Sequence, residues 1–236
     1  MKYLMTISLF LSFFLAKAQL NVMRELDSFN KIEVFGNIDV EMKLSNKETL
    51  KIRTYKVEQE KVSIKVVNNT LKISLKSKLL DEDVKVKVYI TYKEIVGIRS
   101  DAGAEIRIID RIVGDRLLAE AANGGRILMK VRIELLELKL FQGAHIDISG
   151  ACLKQKSFVN TGSVLSATNL ESEEINIRMN TKATAEVTAI KKIEAKVNSG
   201  SKLSFFGTPE EEVLKTTFGG SISKWDENNK SEAEKN

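Results

Sequence analysis

The chain contains 236 residues, of which 37 are basic and 32 are acidic, with one cysteine, one histidine and one proline. The single cysteine excludes an internal disulfide, so stability must come from burial and backbone pairing. The formal charge of +5 is mild and does not call for a nucleic-acid partner.

The first 18 residues have the pattern of a secretory signal peptide. Lys2 gives a basic start, Leu4 to Leu15 is a short apolar run, and Ala16-Lys17-Ala18 offers a small-x-small cleavage site. Cleavage after Ala18 would remove Lys2 and Lys17, leaving 35 basic and 32 acidic residues and a charge of +3. No other run approaches the ~20 apolar residues of a membrane span, so no transmembrane segment is expected. A buried N-terminal strand is the alternative interpretation.

Apolar and polar residues alternate from Phe29 to Tyr92. This period of two, with many β-branched residues, predicts strands. Asn68-Asn69 separates two such runs and favours a tight hairpin. We therefore expect antiparallel strands in the N-terminal half. The apolar positions of the longest runs are Ile38, Val40, Met42 and Leu44; Val62, Ile64 and Val66; Leu71, Ile73 and Leu75; and Val84, Val86, Val88 and Ile90.

Lysines occupy the polar positions of these strands. They could form a basic surface for an anionic polymer such as an acidic polysaccharide. A solvated sheet face with lysines that deter edge pairing is the favoured interpretation, because no aromatic residues interleave to stack on sugars or bases. The lysines are Lys43, Lys51, Lys65, Lys72, Lys76, Lys85 and Lys87.

The second half repeats a turn phrase about every 20 residues. Its equivalent positions are Gly103, Gly124, Gly143, Gly162, Lys182, Gly200 and Gly220, at intervals of 21, 19, 19, 20, 18 and 20 residues. Gly125 could replace Gly124 in this alignment. A left-handed corner explains the glycines, because a residue with a Cβ pays roughly 1–2 kcal/mol there. Lys182 is therefore expected to occupy a strained corner or one that turns differently.

The residues after each turn alternate between a core and solvent. The position three residues after each turn is mostly aliphatic. The position five residues after each turn is apolar in every repeat, and in the last repeat it is Trp225. A unit of about 20 residues with a glycine corner predicts a solenoid of about seven coils that share one core. We expect residues 19–225 to form one structural unit and the polar tail, residues 226–236, to be disordered. The positions expected to be buried include Ile106, Ile127, Ile146 and Leu203.

Asn160, Asn180 and Asn198 each precede a turn by two residues. Like residues stack in a solenoid, and their amides can bond in a ladder. Asparagine also tolerates corner dihedrals, so this structural role is favoured over ligand binding.

The sequence offers little catalytic chemistry. His145 and Asp147 lie on one outward strand face, where they could hold a metal or move a proton, but a surface pair is favoured since zinc needs three or four ligands. The outward acids Glu105, Asp147 and Glu186 belong to different coils and form no acidic column. Cys152 is expected to be a small buried residue rather than a reactive thiol. No catalytic residues, cofactor or metal are predicted.

The chain resembles a known family in its opening segment, in one middle segment and in its repeated turn phrases. The segment from Val88 to Ile108 is similar to the family's strand-and-glycine passage, although Ala102-Gly103-Ala104 replaces the commoner G-S-G. Phe35-Gly36-Asn37 also departs from the usual glycine pair. The family is the "putative autotransporter adhesin, head GIN domain", whose opening pattern is matched by Phe29, Ile32, Val34, Gly36, Asp39 and Val40.

The resemblance covers Phe29 to Trp225 and implies an all-β, single-stranded right-handed β-helix exported by bacteria with an outer membrane. It brings no established enzyme activity and no binding residues. The resulting expectation is a non-catalytic module of the periplasm, outer-membrane surface or extracellular space that binds carbohydrate or an envelope or surface protein. A polysaccharide-acting β-helix enzyme and a purely structural spacer are the alternatives. Self-association is also possible, because solenoid ends expose unpaired strands.

Overall fold

The computed structural model describes residues 23–75 and 85–225. The predicted signal peptide, the predicted disordered tail, Lys76 and Val84 lie outside these ranges. The described residues form sixteen strands and one 3-10 helix, Gln59–Lys61. Within these ranges no helix is long and apolar enough to cross a membrane.

The strands are short in the N-terminal half and long afterwards. The first eight are β1 Arg24–Glu25, β2 Lys31–Phe35, β3 Ile38–Leu44, β4 Thr49–Tyr55, β5 Val62–Val67, β6 Thr70–Leu75, β7 Lys85–Tyr92 and β8 Gly97–Asp101. The remaining eight are β9 Glu105–Ala122, β10 Arg126–Phe141, β11 His145–Asn160, β12 Val164–Asn180, β13 Thr184–Asn198, β14 Lys202–Phe206, β15 Glu211–Thr217 and β16 Ser221–Trp225.

Strands β9 to β16 stack in parallel and form the predicted β-solenoid. In β9 to β12, the aliphatic residue three positions after each corner lies beside its equivalent in the next coil. Ile106, Ile146 and Leu203 are almost completely buried, as the alternation predicted. Each coil shares its apolar interior with its neighbours, which is what allows a unit of about 20 residues to be stable. The fold class is therefore confirmed.

The chain enters the solenoid one coil in from its N-terminal end. Strand β2 pairs in parallel with both β6 and β8, and β3 pairs in parallel with both β7 and β9. Antiparallel pairing occurs outside these rungs, where β4 pairs with β7, β5 with β6 and β1 with β4. The N-terminal half thus contains antiparallel strands that cover the end of the solenoid and parallel strands that belong to its coils.

Each of the seven repeated corners turns through two consecutive residues with positive φ, between +48° and +81°. Positive φ at both central residues is the pattern of a type I′ turn. The backbone N–H of the second corner residue donates to the carbonyl of the first residue in the next corner, at 2.9–3.1 Å. The seven pairs are Ala102-Gly103, Asn123-Gly124, Gln142-Gly143, Thr161-Gly162, Thr181-Lys182, Ser199-Gly200 and Phe218-Gly219.

The last corner lies one residue earlier than the sequence predicted. Gly219 has a φ of +77°, whereas Gly220 occupies the small position that follows it, where a Cβ would lie 2.1 Å from the carbonyl oxygen of Val197. Consequently Ile222 pairs with Leu203, and Trp225 pairs with Phe206 rather than continuing the buried column. Trp225 is 37% exposed, so the prediction that it faces the core is wrong.

Candidate functional site

The residues considered for catalysis do not converge. Glu105 forms ion pairs with Arg107 at 3.0 Å and Arg126 at 3.8 Å. Asp147 and Glu186 share one row but are separated by Ser166 on the intervening strand. Within residues 23–75 and 85–225, no group of three or more His, Cys, Asp or Glu side chains is placed to hold a metal ion.

His145 lies in a different row from Asp147, between Arg126 and Val164. Partial burial and the positive charge of Arg126 lower the pKa of His145, and Asp147 opposes this shift only weakly. A histidine beside arginine is thus favoured in its neutral form. The described contacts include no hydrogen bond from His145 to Asp147, which the activation of a base would need.

Cys152 belongs to a buried polar chain inside the core. Its Sγ lies 3.2 Å from Ser172 Oγ, which donates to Gln155 Oε1 at 2.7 Å. Gln155 Nε2 in turn donates to Ser157 Oγ at 2.9 Å. Burial raises the pKa of the Cys152 thiol. Because a nucleophilic cysteine needs a lowered pKa and solvent access, Cys152 is better explained as part of this chain.

The predicted asparagine ladder forms in its C-terminal part. Asn198 Nδ2 donates to Asn180 Oδ1 at 3.0 Å, and Thr217 Oγ1 donates to Asn198 Oδ1. The described bonds include none between the side chains of Asn160 and Asn180. The bonds of Asn198 tie three successive coils together beside the corners.

The N-terminal lysines do not form one continuous basic surface. Lys72 pairs with Glu33 at 2.9 Å, and Lys87 approaches Glu41 at 4.0 Å. Lys65 lies opposite Lys72 in the β5–β6 hairpin, while Lys51 belongs to β4. Their positive charge is thus spread over several strands.

A groove runs along one side of the solenoid, and we call it the lateral groove. It encloses about 640 Å³ and takes side chains from five successive strands, β9 to β13. Three aliphatic residues on its surface are unusually exposed: Val113 by 69%, Leu153 by 46% and Ile190 by 44%. Exposed apolar groups rimmed by polar ones are typical of sites for proteins or membranes.

The rim of the lateral groove is acidic. Four carboxylates and one guanidinium line it, from Asp115, Glu134, Glu171, Glu173 and Arg132. Glu173 is neutralised by Lys191 at 2.7 Å, whereas the other three carboxylates form no ion pair among the described residues. The groove therefore presents an apolar floor and an excess of negative charge.

The sequence patterns did not identify this groove. Val113, Leu153 and Ile190 come from three different coils, near the bends where strand register shifts between neighbours. The sequence signal that could have indicated the groove is a large aliphatic residue at an outward position in each of these three coils. Only the stacking of the coils shows that these positions meet.

Comparisons with known proteins agree with the fold. The family model described as "Putative auto-transporter adhesin, head GIN domain" matches residues 28–209. The fold is similar to the crystal structure of a putative adhesin from Bacteroides fragilis NCTC 9343, with a TM-score of 0.79 and 20% sequence identity over 86% of this chain and 96% of that one. It is also similar to the crystal structure of a putative adhesin from Parabacteroides merdae ATCC 43184, with a TM-score of 0.71 and 16% identity over 87% of this chain and 95% of that one. The crystal structure of a putative lipid binding protein from Parabacteroides distasonis ATCC 8503 is similar as well, with a TM-score of 0.69 and 17% identity over 87% of this chain and 96% of that one. No curated protein matches the sequence.

Proposed function

Because the chain belongs to the "putative auto-transporter adhesin, head GIN domain" family, we propose that it is an exported, non-catalytic module of the cell envelope or surface. It binds a protein or carbohydrate ligand through its outward faces, in the periplasm, on the outer membrane or outside the cell. The observation that carries this proposal is the lateral groove, because a purely structural spacer has no need of a cleft with exposed aliphatic side chains.

The chemistry of the groove favours a protein segment with apolar and basic side chains. Burying Leu153 and Ile190 completely would contribute roughly half of the ~1.5–3 kcal/mol expected for a fully exposed aliphatic residue, because each is about half covered already. The carboxylates of Asp115, Glu134 and Glu171 would attract lysine or arginine on the partner and orient it.

The test is selection of binders from a random peptide library on the immobilised protein. We expect enriched peptides to combine apolar and basic residues, and binding to be lost in the variants Leu153→Asp and Ile190→Asp. Val67→Asp is the matched control, since this residue is exposed by 42% and lies in the β5–β6 hairpin at the N-terminal end of the solenoid. Peptides that bind the Leu153→Asp and Ile190→Asp variants as well as the parent protein would refute the role of the groove.

Lipid binding is the second candidate, favoured by the apolar floor of the groove and by the similar structure of a putative lipid binding protein. Native mass spectrometry of the purified protein with added fatty acid would test it. A bound fatty acid that is lost in Leu153→Asp would favour lipid as the ligand, whereas the absence of any complex would leave the protein ligand as the proposal.

Export and lack of catalysis are tested separately. Cleavage of the signal peptide would give a mature protein that begins at Gln19, as determined by mass spectrometry. A reducing-end release assay on polysaccharides should show no turnover. If turnover occurred and disappeared in His145→Ala or Asp147→Ala, the protein would be an enzyme instead.

A further inference from the structure

A row of cations runs along the solenoid on the second half of its long strands. Lys139 pairs in register with Phe158, Phe158 with Arg178, Arg178 with Lys196 and Lys196 with Lys215. We call these five residues the basic row. All five side chains are partly or fully exposed, and they lie further along the strands than the lateral groove.

The positive charge of the basic row is mostly unneutralised. Among the described residues, Lys139, Arg178 and Lys215 have no carboxylate within ion-pair distance, and Lys196 only approaches Glu194 at 3.8 Å. Lys139 lies in register with Glu120, but that carboxylate is paired with Arg99. Phe158 packs its ring against Phe141, with centroids 5.5 Å apart. Three unpaired cations and one supported aromatic ring therefore share one line.

A nearby row on the same strands shows how the fold usually arranges charge. Lys154 pairs with Glu174, Glu174 lies beside Lys192, and Lys192 pairs with Glu211, so the sign alternates from coil to coil. Like charges directly opposite one another on neighbouring strands are destabilising. The basic row retains this repulsion between Arg178, Lys196 and Lys215, which an external anion would relieve.

The spacing of the row suits an extended polymer. Neighbouring strands lie about 4.8 Å apart, so the cations recur every one or two such steps along the axis of the solenoid. A shallow cavity of about 440 Å³ takes side chains from Glu137, Lys139, Lys156, Phe158 and Arg178 and widens the contact surface. The carboxylate of Glu137 is paired with Arg116. A linear chain with regularly spaced anionic groups could meet several cations at once.

We propose that the basic row binds a linear acidic polysaccharide that lies along the solenoid axis. Single-stranded nucleic acid is disfavoured, because its binders stack successive bases on a series of aromatic side chains and the row contains only Phe158. The proposal specifies a carbohydrate ligand for the proposed surface-binding function, on a face that is separate from the lateral groove.

The test is binding of the purified protein to immobilised polymers by biolayer interferometry at physiological ionic strength. The probes are heparin as a sulfated polysaccharide, polygalacturonate as a carboxylated one, dextran as a neutral one and oligo-dT as a nucleic acid. We expect the protein to bind at least one acidic polysaccharide, more tightly than oligo-dT, and not to bind dextran. The triple variant Lys139→Gln, Arg178→Gln, Lys215→Gln should bind at least roughly tenfold more weakly.

The matched control removes the same number of charges elsewhere. Lys43, Lys51 and Lys85 lie on β3, β4 and β7, outside the row that contains Lys139, and form no ion pair among the described residues. The triple variant Lys43→Gln, Lys51→Gln, Lys85→Gln should therefore bind nearly normally. Equal losses in the two triple variants would overturn the proposal, as would equal binding to oligo-dT or no binding to either acidic polymer. The variant Lys139→Arg, Arg178→Lys keeps the charges and should retain binding, which separates lost charge from misfolding. Leu153→Asp should leave polysaccharide binding intact. A failure of the function proposed for the lateral groove can therefore be distinguished from a failure of the proposal for the basic row.

Discussion

The second residue of each corner is chosen for its backbone conformation rather than for a ligand. At Gly103, Gly124, Gly143 and Gly162, a Cβ would meet nothing within 4 Å, yet φ lies between +67° and +81°. Space is available for a side chain, so the cost of replacing these glycines is conformational. The repeated turn phrase is therefore a building unit whose hydrogen bonds connect successive coils.

Lys182 is the corner residue whose replacement by glycine should remove this conformational cost. Its φ is +57°, in the left-handed region that glycine adopts without penalty. We expect Lys182→Gly to raise the free energy of unfolding by up to ~1 kcal/mol in urea titrations. The reverse control, Gly162→Ala, should lower it by about the same amount, because no neighbouring atom opposes its Cβ. A loss of stability in Lys182→Gly would mean that its side chain contributes more than its backbone costs.

Glu48 should make stability depend on pH at the N-terminal end. Its buried carboxylate accepts a hydrogen bond from Ser28 Oγ at 2.7 Å and pairs with Lys93 Nζ at 2.7 Å. The bond to Lys93, then the bond to Ser28, lowers the pKa of Glu48 in the folded protein. The stabilisation is therefore present above the unfolded pKa of about 4.3 and is lost as the pH falls through the lower folded value.

The corresponding measurement is the free energy of unfolding between pH 7 and pH 3. In Glu48→Gln it should be lower at pH 7 and should fall less steeply below about pH 4.3. The variant Glu60→Gln, on the exposed 3-10 helix, should follow the parent curve. If Glu48→Gln kept the full acid dependence of the parent protein, other carboxylates would be responsible.

At the scale of strands, the alternation of apolar and polar residues predicts well which face of each strand is buried. It does not predict the register between strands or which strands are neighbours. The apolar phases of β9 to β13 are buried as predicted, because every coil repeats the same inward positions. The prediction failed at β16, where Gly219-Gly220 allows two alignments and a slip of one residue exchanges the two faces. The lateral groove was missed because its members lie at bends, where alternation is interrupted.

The corrected register shows how the C-terminal end of the solenoid is closed. Glu212 pairs with Ile193, and Lys224 with Phe205, so both charged residues continue buried columns. Their side chains form an ion pair at 2.7 Å across the end of the core. Charged residues at inward positions of a terminal strand deter pairing with another edge.

Replacing this pair should therefore promote self-association. We expect the double variant Glu212→Leu, Lys224→Leu to form concentration-dependent dimers or larger species in analytical ultracentrifugation, because its last coil would be apolar on the core side. The control Glu33→Leu, Lys72→Leu removes a pair at 2.9 Å from the side of the solenoid, outside the lateral groove. Equal association of both variants would show that added hydrophobicity alone is responsible.

For the whole molecule, the order of the chain differs from the order of the coils. Strands β2 and β3 come early in the sequence but lie between the coil formed by β6 and β7 and the coil that begins with β8 and β9. The period of two could not predict this, since it specifies which face of a strand is buried and not which strand lies next to it. The N-terminal segment is consequently an internal coil of the stack, with neighbours on both sides.

This arrangement predicts an asymmetric response to truncation. Removing residues 23–44 would separate β6 and β7 from the rest of the solenoid and expose both sides of the break, including the partners of Ile32 and Val40. Removing residues 211–236 would instead take away only the described strands β15 and β16 and the chain beyond them, leaving earlier coils stacked. Thermal unfolding followed by far-ultraviolet circular dichroism should show no cooperative transition for the first variant and a cooperative one at reduced temperature for the second. If the variant without residues 23–44 unfolded cooperatively at a temperature near that of the full chain, β6 and β7 could stack directly on β8 and β9. The internal position of β2 and β3 would then not be required.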